Sequence, residues 1–418
     1  MRTVIALAFS VLFAVAGFAG NGGSAYTLFG IGDVRYFPSG RSAGMGFTGI
    51  GLPSSTTINT LVPAAWSRIN KVRIEASGLY EGIKTAETDK TLFQAKGLFN
   101  GATLAFPISP ANGVVFVGGF APFSIVRYNI SFNGSQQGVD YSINEIGSGG
   151  LTRANVGLSY APMEDLSIGA SVNYIFGNLA MSRAFTPTSA GSAGATLSED
   201  ESNRGVNFTL SGQYLGWGKI SEWLRPVSLG FLVTTQANMK SEITDRLDFS
   251  TERDTLDVTQ KRYSIPFAFG FGAGYQIAER WIIAADYYSQ LWNDARYDGA
   301  AFANIRNSSR FGIGAEKLPI KDATKWLDKL AYRLGFSYNA TQYKIYGEPI
   351  NEWAVTGGFT MPVSGETRLN VGIEYTERGS KTTILGPRGN VNLVKDNVLR
   401  VTLSLSIVEP WFVRYEEE

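Results

Sequence analysis

The chain has 418 residues, of which 48 are glycine, 13% aromatic and 17% charged, a composition that excludes a helix bundle and favours many turns and ring-bearing strands. Thirty-seven Lys and Arg stand against 36 Asp and Glu, so there is no global field to draw a phosphate backbone, and nucleic acid is excluded as a partner. Neither cysteine nor histidine occurs, which removes disulfides, thiolate chemistry, the usual zinc and iron–sulfur sites and Ser-His-Asp catalysis, so no enzyme activity, catalytic residue, metal or cofactor is expected.

Residues 1–19 have the form of a secretory signal peptide. Arg2 supplies a positive start, Val4 to Phe18 an apolar stretch, and Gly17-Phe18-Ala19 the small residues a signal peptidase needs. No later window is long and apolar enough for a membrane helix, so any further crossing must be made by β-strands. Residues 20–70 are glycine-rich, with Tyr26, Phe29, Tyr36, Phe37 and Phe47 scattered and no long alternation.

From residue 71 onward the pattern is period two. Leu399, Val401, Leu403, Leu405 and Ile407 share one face against Arg400, Thr402, Ser404 and Ser406. Leu369, Val371, Ile373 and Tyr375 oppose Arg368, Asn370, Glu374 and Thr376 in the same way, and Val72, Ile74, Ala76 and Tyr80 oppose Arg73, Glu75, Ser77 and Glu81. Segments of this kind fall near 72–82, 90–107, 113–132, 139–162, 165–183, 203–217, 226–244, 254–277, 280–298, 303–317, 329–343, 350–362, 367–380 and 395–408. Many exceed the roughly 9 to 11 residues of a tilted membrane strand. The fold class is therefore all-β: a transmembrane antiparallel β-barrel of about fourteen strands over 71–408, with 20–70 as a plug filling its lumen and 409–418 as a periplasmic tail. A soluble secreted sandwich, in which the ring-bearing faces form a shared interior, is the competing architecture.

Two expectations concern the rims. Alternate connections are short (108–112, 162–165, 278–279, 362–366) and the others longer (184–202, 245–253, 381–394), as for periplasmic turns and outer loops. The exceptions at 218–225 and 318–328 carry Trp223 and Trp326 and are expected to be short interfacial helices. Trp281, Tyr287, Tyr288, Trp292, Trp353 and the Trp411-Phe412 pair are expected in aromatic girdles.

Three local patterns need separate treatment. Gly44-Met45-Gly46-Phe47-Thr48-Gly49 fits G-x-G-x-x-G but lacks a strand before it and a helix after it, so a glycine-rich turn is the better reading. Gly40-Arg41-Ser42-Ala43-Gly44 spells a nucleophile elbow in a chain with no histidine to complete it. Pro122 interrupts the third strand, where it cannot donate to a ladder and so marks a bulge, a kink or an early strand end.

The run Gly40-Arg41-Ser42-Ala43-Gly44-Met45-Gly46, followed by Gly49-Ile50-Gly51-Leu52, Asn59 and Val62-Pro63-Ala64, resembles the N-terminal hatch of the FadL family of outer-membrane transporters for long-chain fatty acids and other hydrophobic compounds. Val62 replaces the asparagine of that family's Asn-Pro-Ala tripeptide. Pro266, Gly272, Tyr275, Trp281, Asp286, Tyr287 and Trp292 resemble its middle strands, and Arg333-Leu334-Gly335-Phe336-Ser337-Tyr338 a later one. The resemblance implies a hatch carrying Gly40, Arg41, Gly44, Gly46, Asn59, Pro63 and Ala64. It also implies an inward kink in strand three at Gly118, Gly119 and Pro122, with a ligand path past Phe120, Pro122 and Phe123. Outer loops bearing Phe185 and Leu197 would collect the ligand. The partners so implied are a hydrophobic small molecule or fatty acid and outer-membrane lipid. The alternative, similar to the PorV shuttle of type IX secretion, is an accessory protein that binds secreted proteins.

Overall fold

The computed structural model describes residues 23–36, 39–87, 90–136, 139–188, 193–249, 252–320, 322–386 and 389–409. The expected signal peptide, Phe37 and the Trp411-Phe412 tail lie outside the described residues. Fourteen antiparallel strands form one closed wall: β1 (Val72–Ala86), β2 (Thr91–Ser109), β3 (Val114–Gln136), β4 (Val139–Met163), β5 (Leu166–Pro187), β6 (Ala195–Tyr214), β7 (Val227–Thr234 continued by Ala237–Phe249), β8 (Glu252–Ile265 continued by Ala268–Ala278), β9 (Trp281–Gln290), β10 (Ser308–Lys317), β11 (Ala331–Ile345), β12 (Glu348–Ser364), β13 (Thr367–Gly379) and β14 (Lys395–Glu409). Each pairs with the next, and β1 pairs with β14 from Val72 opposite Glu409 to Ala86 opposite Lys395, which closes the cylinder. Closure removes both sheet edges, the condition for strands to cross a bilayer without unpaired backbone groups.

Alternation decides which side is which. Phe208, Leu210, Phe231, Phe271, Leu334 and Leu399 are exposed on the outside, while Asn207, Ser211, Arg333 and Arg400 are buried in the lumen. A continuous apolar exterior of this extent is not sustained in water. The two stacked sheets of a sandwich are therefore absent: the leucines and tyrosines cover the wall, and the charges line its interior. Pro266 and Phe267 fall between the two pieces of β8, where the missing N–H of proline interrupts the ladder.

The rims depart from the expected alternation of short and long. On the outer rim, β5 and β6 pair up to Phe185 opposite Ala195, and β7 and β8 up to Phe249 opposite Glu252. Most of 184–202 and 245–253 is thus strand. Cross-strand pairing keeps satisfying the backbone beyond the bilayer, so these hairpins continue as sheet. The outer connection before β14 carries a small hairpin, Thr383–Gly386 with Gly389–Asn392. On the periplasmic rim the two exceptional connections hold 3-10 turns, Gly216–Lys219 with Glu222–Leu224 and Trp326–Lys329, and expose Trp223 and Trp326.

Candidate functional site

Residues 39–69 lie within the barrel and are held there by backbone donors meeting luminal side chains. Ser39 caps the single helical turn Gly40–Ala43, and the Gly40 N–H donates to Ser404 Oγ at 3.1 Å. Gly46 has φ 65° and donates to Thr356 Oγ1 at 2.8 Å. A Cβ on Gly46 would stand 2.5 Å from the Ile313 carbonyl oxygen, so only glycine fits. The Asp286 carboxylate accepts the Gly49 and Ile50 N–H groups at 2.6 and 2.7 Å. Asn59 donates to the Gly49 carbonyl at 2.9 Å, and its Oδ1 accepts from Leu61 and Val62 at 3.0 and 3.2 Å, just ahead of the 3-10 turn Pro63–Arg68. Val62 is fully buried, and the Ala64 N–H donates to Ser211 Oγ at 2.8 Å.

The lumen has two chemical faces. Over β10 to β14, β1 and β2 it is ionic. Glu81, 1% exposed, is held by Arg35 at 2.9 Å, Lys96 at 2.8 Å and Arg400 at 2.5 Å, and Arg400 also reaches Glu374 at 2.6 Å. Arg378 joins Asp33 and Glu352, each at 2.8 Å, and Glu316 holds both Arg41 and Arg333 at 2.6 Å. Burial disfavours the Arg41 cation, but the adjacent Glu316 charge outweighs that and raises its pKa above the ordinary value. Over β3 to β8 the upper lumen is apolar: Phe123, Leu151, Ile175, Met239, Tyr263 and Ile265 pack with Ile31 and Trp292.

The faces meet at a seam in the wall. The β2–β3 ladder runs from Ser109 opposite Val114 up to Ala102 opposite Phe120 and stops there. Above it, β2 pairs with β1 and β3 with β4, and no β2–β3 pair occurs among the described residues. Gly101, with φ 128°, lies on the β2 side of this point, and the β3–β4 register shifts between Pro122 and Ser124. A two-residue hatch strand, Asp33–Val34, occupies the β3 side, with Asp33 opposite Ile125 and Val34 opposite Ser124. The Arg35 N–H extends this pairing to the Phe123 carbonyl at 2.8 Å. Behind the seam is a cavity of about 50 Å³ reached by Asn100, Ala121, Pro122, Arg153 and Arg310. Arg310 stacks on Tyr36 and Phe47, each at 4.6 Å from the ring centre, and burial raises the Tyr36 hydroxyl pKa against the pull of that cation.

The bulge separates the three residues of the expected path. Phe120 faces outward, 48% exposed, with its ring 5.5 Å from that of Phe99; Pro122 borders the cavity; Phe123, 8% exposed, points into the apolar cluster. Other expectations fail. Phe185 and Leu197 are on strands and not on loops, at the exposed outer ends of β5 and β6 on the side that carries Leu179 and Glu201 lower down. Trp292 is 2% exposed inside the apolar cluster, and Tyr288 packs edge-on to Tyr36 at 5.1 Å, so neither belongs to a girdle, although Trp281 and Tyr287 are exposed on the outer surface. The ionic face was visible in sequence only as a run of charges opposite the leucines; that Arg400 meets Glu81 depends on β1 meeting β14, and that Arg35, Arg41 and Asp33 join the face depends on where the hatch lies.

A family model described as BamG matches residues 1–416. The chain belongs to the BamG family. Its fold is shared with solved outer-membrane channels. A Pseudomonas aeruginosa FadL homologue is 13% identical with a TM-score of 0.59, covering 90% of this chain and 98% of its own. The CymD monoaromatic hydrocarbon channel is 12% identical with a TM-score of 0.57, covering 91% and 99%. The Ralstonia pickettii toluene transporter TbuX is 14% identical with a TM-score of 0.55, covering 92% and 100%. No curated protein matches. The FadL-like architecture expected from the hatch and middle-strand motifs is thus present, in a closed barrel with an apolar exterior, which is the form of a bacterial outer-membrane protein.

Proposed function

We propose that this BamG-family protein carries hydrophobic small molecules, long-chain fatty acids among them, passively across the outer membrane and releases them sideways at the β2–β3 seam. The reading rests on the end of the ladder at Phe120, which puts an exposed phenyl ring and a buried one, Phe123, on either side of the wall. An apolar tail gains about 0.8 kcal/mol for each methylene kept out of water, so a route from the apolar cluster past Pro122 to lipid avoids the aqueous phase. Of the arginines at the cavity, Arg310 is 3.8 Å from Glu352, and Arg153, with no ion pair among the described residues, suits an anionic head group. A cavity of about 50 Å³ is far below the roughly 300 Å³ or more of a small-molecule pocket, so passage requires the Asp33–Val34 strand to leave β3. That strand is the gate.

The chain has no cysteine, so Val34→Cys with Ser124→Cys, at directly paired positions, gives a clean lock. Uptake of a fluorescent fatty acid by cells carrying the oxidised double variant should fall about tenfold and return on reduction, as for a blocked lid. Equal uptake in the oxidised and reduced forms would sink the gate. Binding of the same probe should also weaken in Phe123→Ala.

A second reading, an accessory protein that engages secreted proteins, is favoured by the same small cavity and by the height of the wall. Strand β4 has 25 residues, against the roughly 9 to 11 that span a bilayer, leaving an extended protein surface outside. Co-purification of a stable protein partner with a barrel free of lipid would favour it over transport.

A further inference from the structure

On the outer surface of β6 to β8, three cations stand in one row. Arg204 is directly opposite Lys240, and Lys240 directly opposite Arg262. All three point out of the barrel and are exposed, as the burial of Asn203, Met239 and Tyr263 on the alternate positions requires. Like charges directly opposed across a ladder destabilise it unless something neutralises them. No ion pair joins any of the three to a carboxylate among the described residues. Two carboxylates border the row, Glu242 one step further out on β7 between Ser202 and Gln260, and the exposed Asp298, whose N–H donates to the Arg262 carbonyl at 2.7 Å; neither makes an ion pair among the described residues. A concavity of about 330 Å³ lies over the row.

The height of the row selects its ligand. Below Arg204 on the same face of β6 come Val206, Phe208 and Leu210, all exposed, and Tyr214 ends the strand at the periplasmic rim. About ten residues separate Tyr214 from Arg204; at roughly 3.4 Å each and a tilt of about 40° they rise about 26 Å, close to the roughly 25 Å apolar band of outer-membrane barrels. Phe176, exposed opposite Arg204 on β5, belongs to the same upper edge of that band. The cations therefore sit at the level of the outer-leaflet head groups. Neighbouring strands are roughly 4.8 Å apart, so two guanidinium forks flank an ammonium at a spacing that suits the oxygens of one phosphate.

We propose that Arg204, Lys240 and Arg262 form a binding site for the phosphate of a phosphorylated outer-leaflet lipid. The site is on the outside of the wall and is independent of any route through the lumen.

The test uses the full-length protein in detergent micelles, titrated with bis-phosphorylated lipid A, with the same lipid after dephosphorylation, and with inorganic phosphate, and read by native mass spectrometry. The phosphorylated lipid should bind at one copy per chain. Replacing Arg204→Gln, Lys240→Gln and Arg262→Gln together should weaken that binding by about tenfold or more, as expected for loss of charge-assisted contacts. Lys325→Gln, exposed on the periplasmic rim, should leave it unchanged. Heat-modifiable migration on gels verifies folding; should the triple variant not fold, Lys240→Gln alone is expected to weaken binding by about threefold. Equal binding of the dephosphorylated lipid, or no loss in the folded variants, overturns the proposal. Displacement of the lipid by inorganic phosphate at equal concentration overturns it in favour of a free-anion site.

Discussion

The ionic and apolar halves of the lumen hold the same plug by different physics. On the ionic side, Glu81 alone joins a hatch arginine, Arg35, to cations from β2 and β14. Such a contact is directional and fails abruptly, because removing one partner leaves buried charges uncompensated. On the apolar side, Phe123, Met239 and Ile265 meet Ile31 through contacts that are non-directional and proportional to area. The hatch strand joins the two: Asp33 is held by Arg378, while Val34 packs on the apolar cluster. The plug is thus held by ion pairs on one side and, on the other, by apolar packing with neutral hydrogen bonds such as Ala64 to Ser211, and the end of the β2–β3 ladder lies at the boundary.

The contrast is broken most directly at Glu81. Glu81→Gln should cost about 3 to 5 kcal/mol, free the hatch, and appear as rapid protease cleavage within 23–71 while the barrel still migrates as folded. If cleavage is unchanged, the ionic side is not the anchor. Met239→Ala should cost about 2 to 5 kcal/mol through the cavity it leaves, lowering the thermal midpoint of the barrel without exposing the hatch. Hatch cleavage equal to that of the Glu81 variant would erase the distinction between the halves. Asp286→Ala strands two buried N–H groups, of Gly49 and Ile50, and should cost about 1 to 3 kcal/mol, with faster hydrogen exchange at those two amides as its signature. Ser404→Ala removes the acceptor of the Gly40 N–H and should cost about 1 kcal/mol, with exchange accelerated at Gly40 alone.

Much of the wall is legible one strand at a time. Leu399 beside Arg400, or Phe208 beside Asn207, reveals inside and outside wherever it occurs, because the pleat has a period of two and lipid tolerates only one of the pair. Pro122 likewise announces a defect from its missing N–H. The site is less legible. The residues that anchor the hatch, Glu81, Glu316, Asp286 and Ser404, look in sequence like ordinary luminal polar positions. Phe185 and Leu197 were expected on loops because hairpins above the membrane carry the same polar residues as loops. Trp292 was expected in a girdle because a ring at a strand end has no mark saying which way the next turn will carry it. The Arg204–Lys240–Arg262 row draws one residue from each of three separate segments.

What the sequence by itself determined is the number of strands, the face of each that meets lipid, and the place where β3 cannot continue its ladder, since these depend on alternation and on proline, both local properties of the chain. What only the tertiary structure decided is which strand pairs with which and in what register. Closure of the barrel brings Arg400 to Glu81 across most of the sequence, the register of β6 on β7 sets Arg204 against Lys240, and the enclosed volume forces the hatch to meet the luminal groups, because a buried donor or charge must find its partner there.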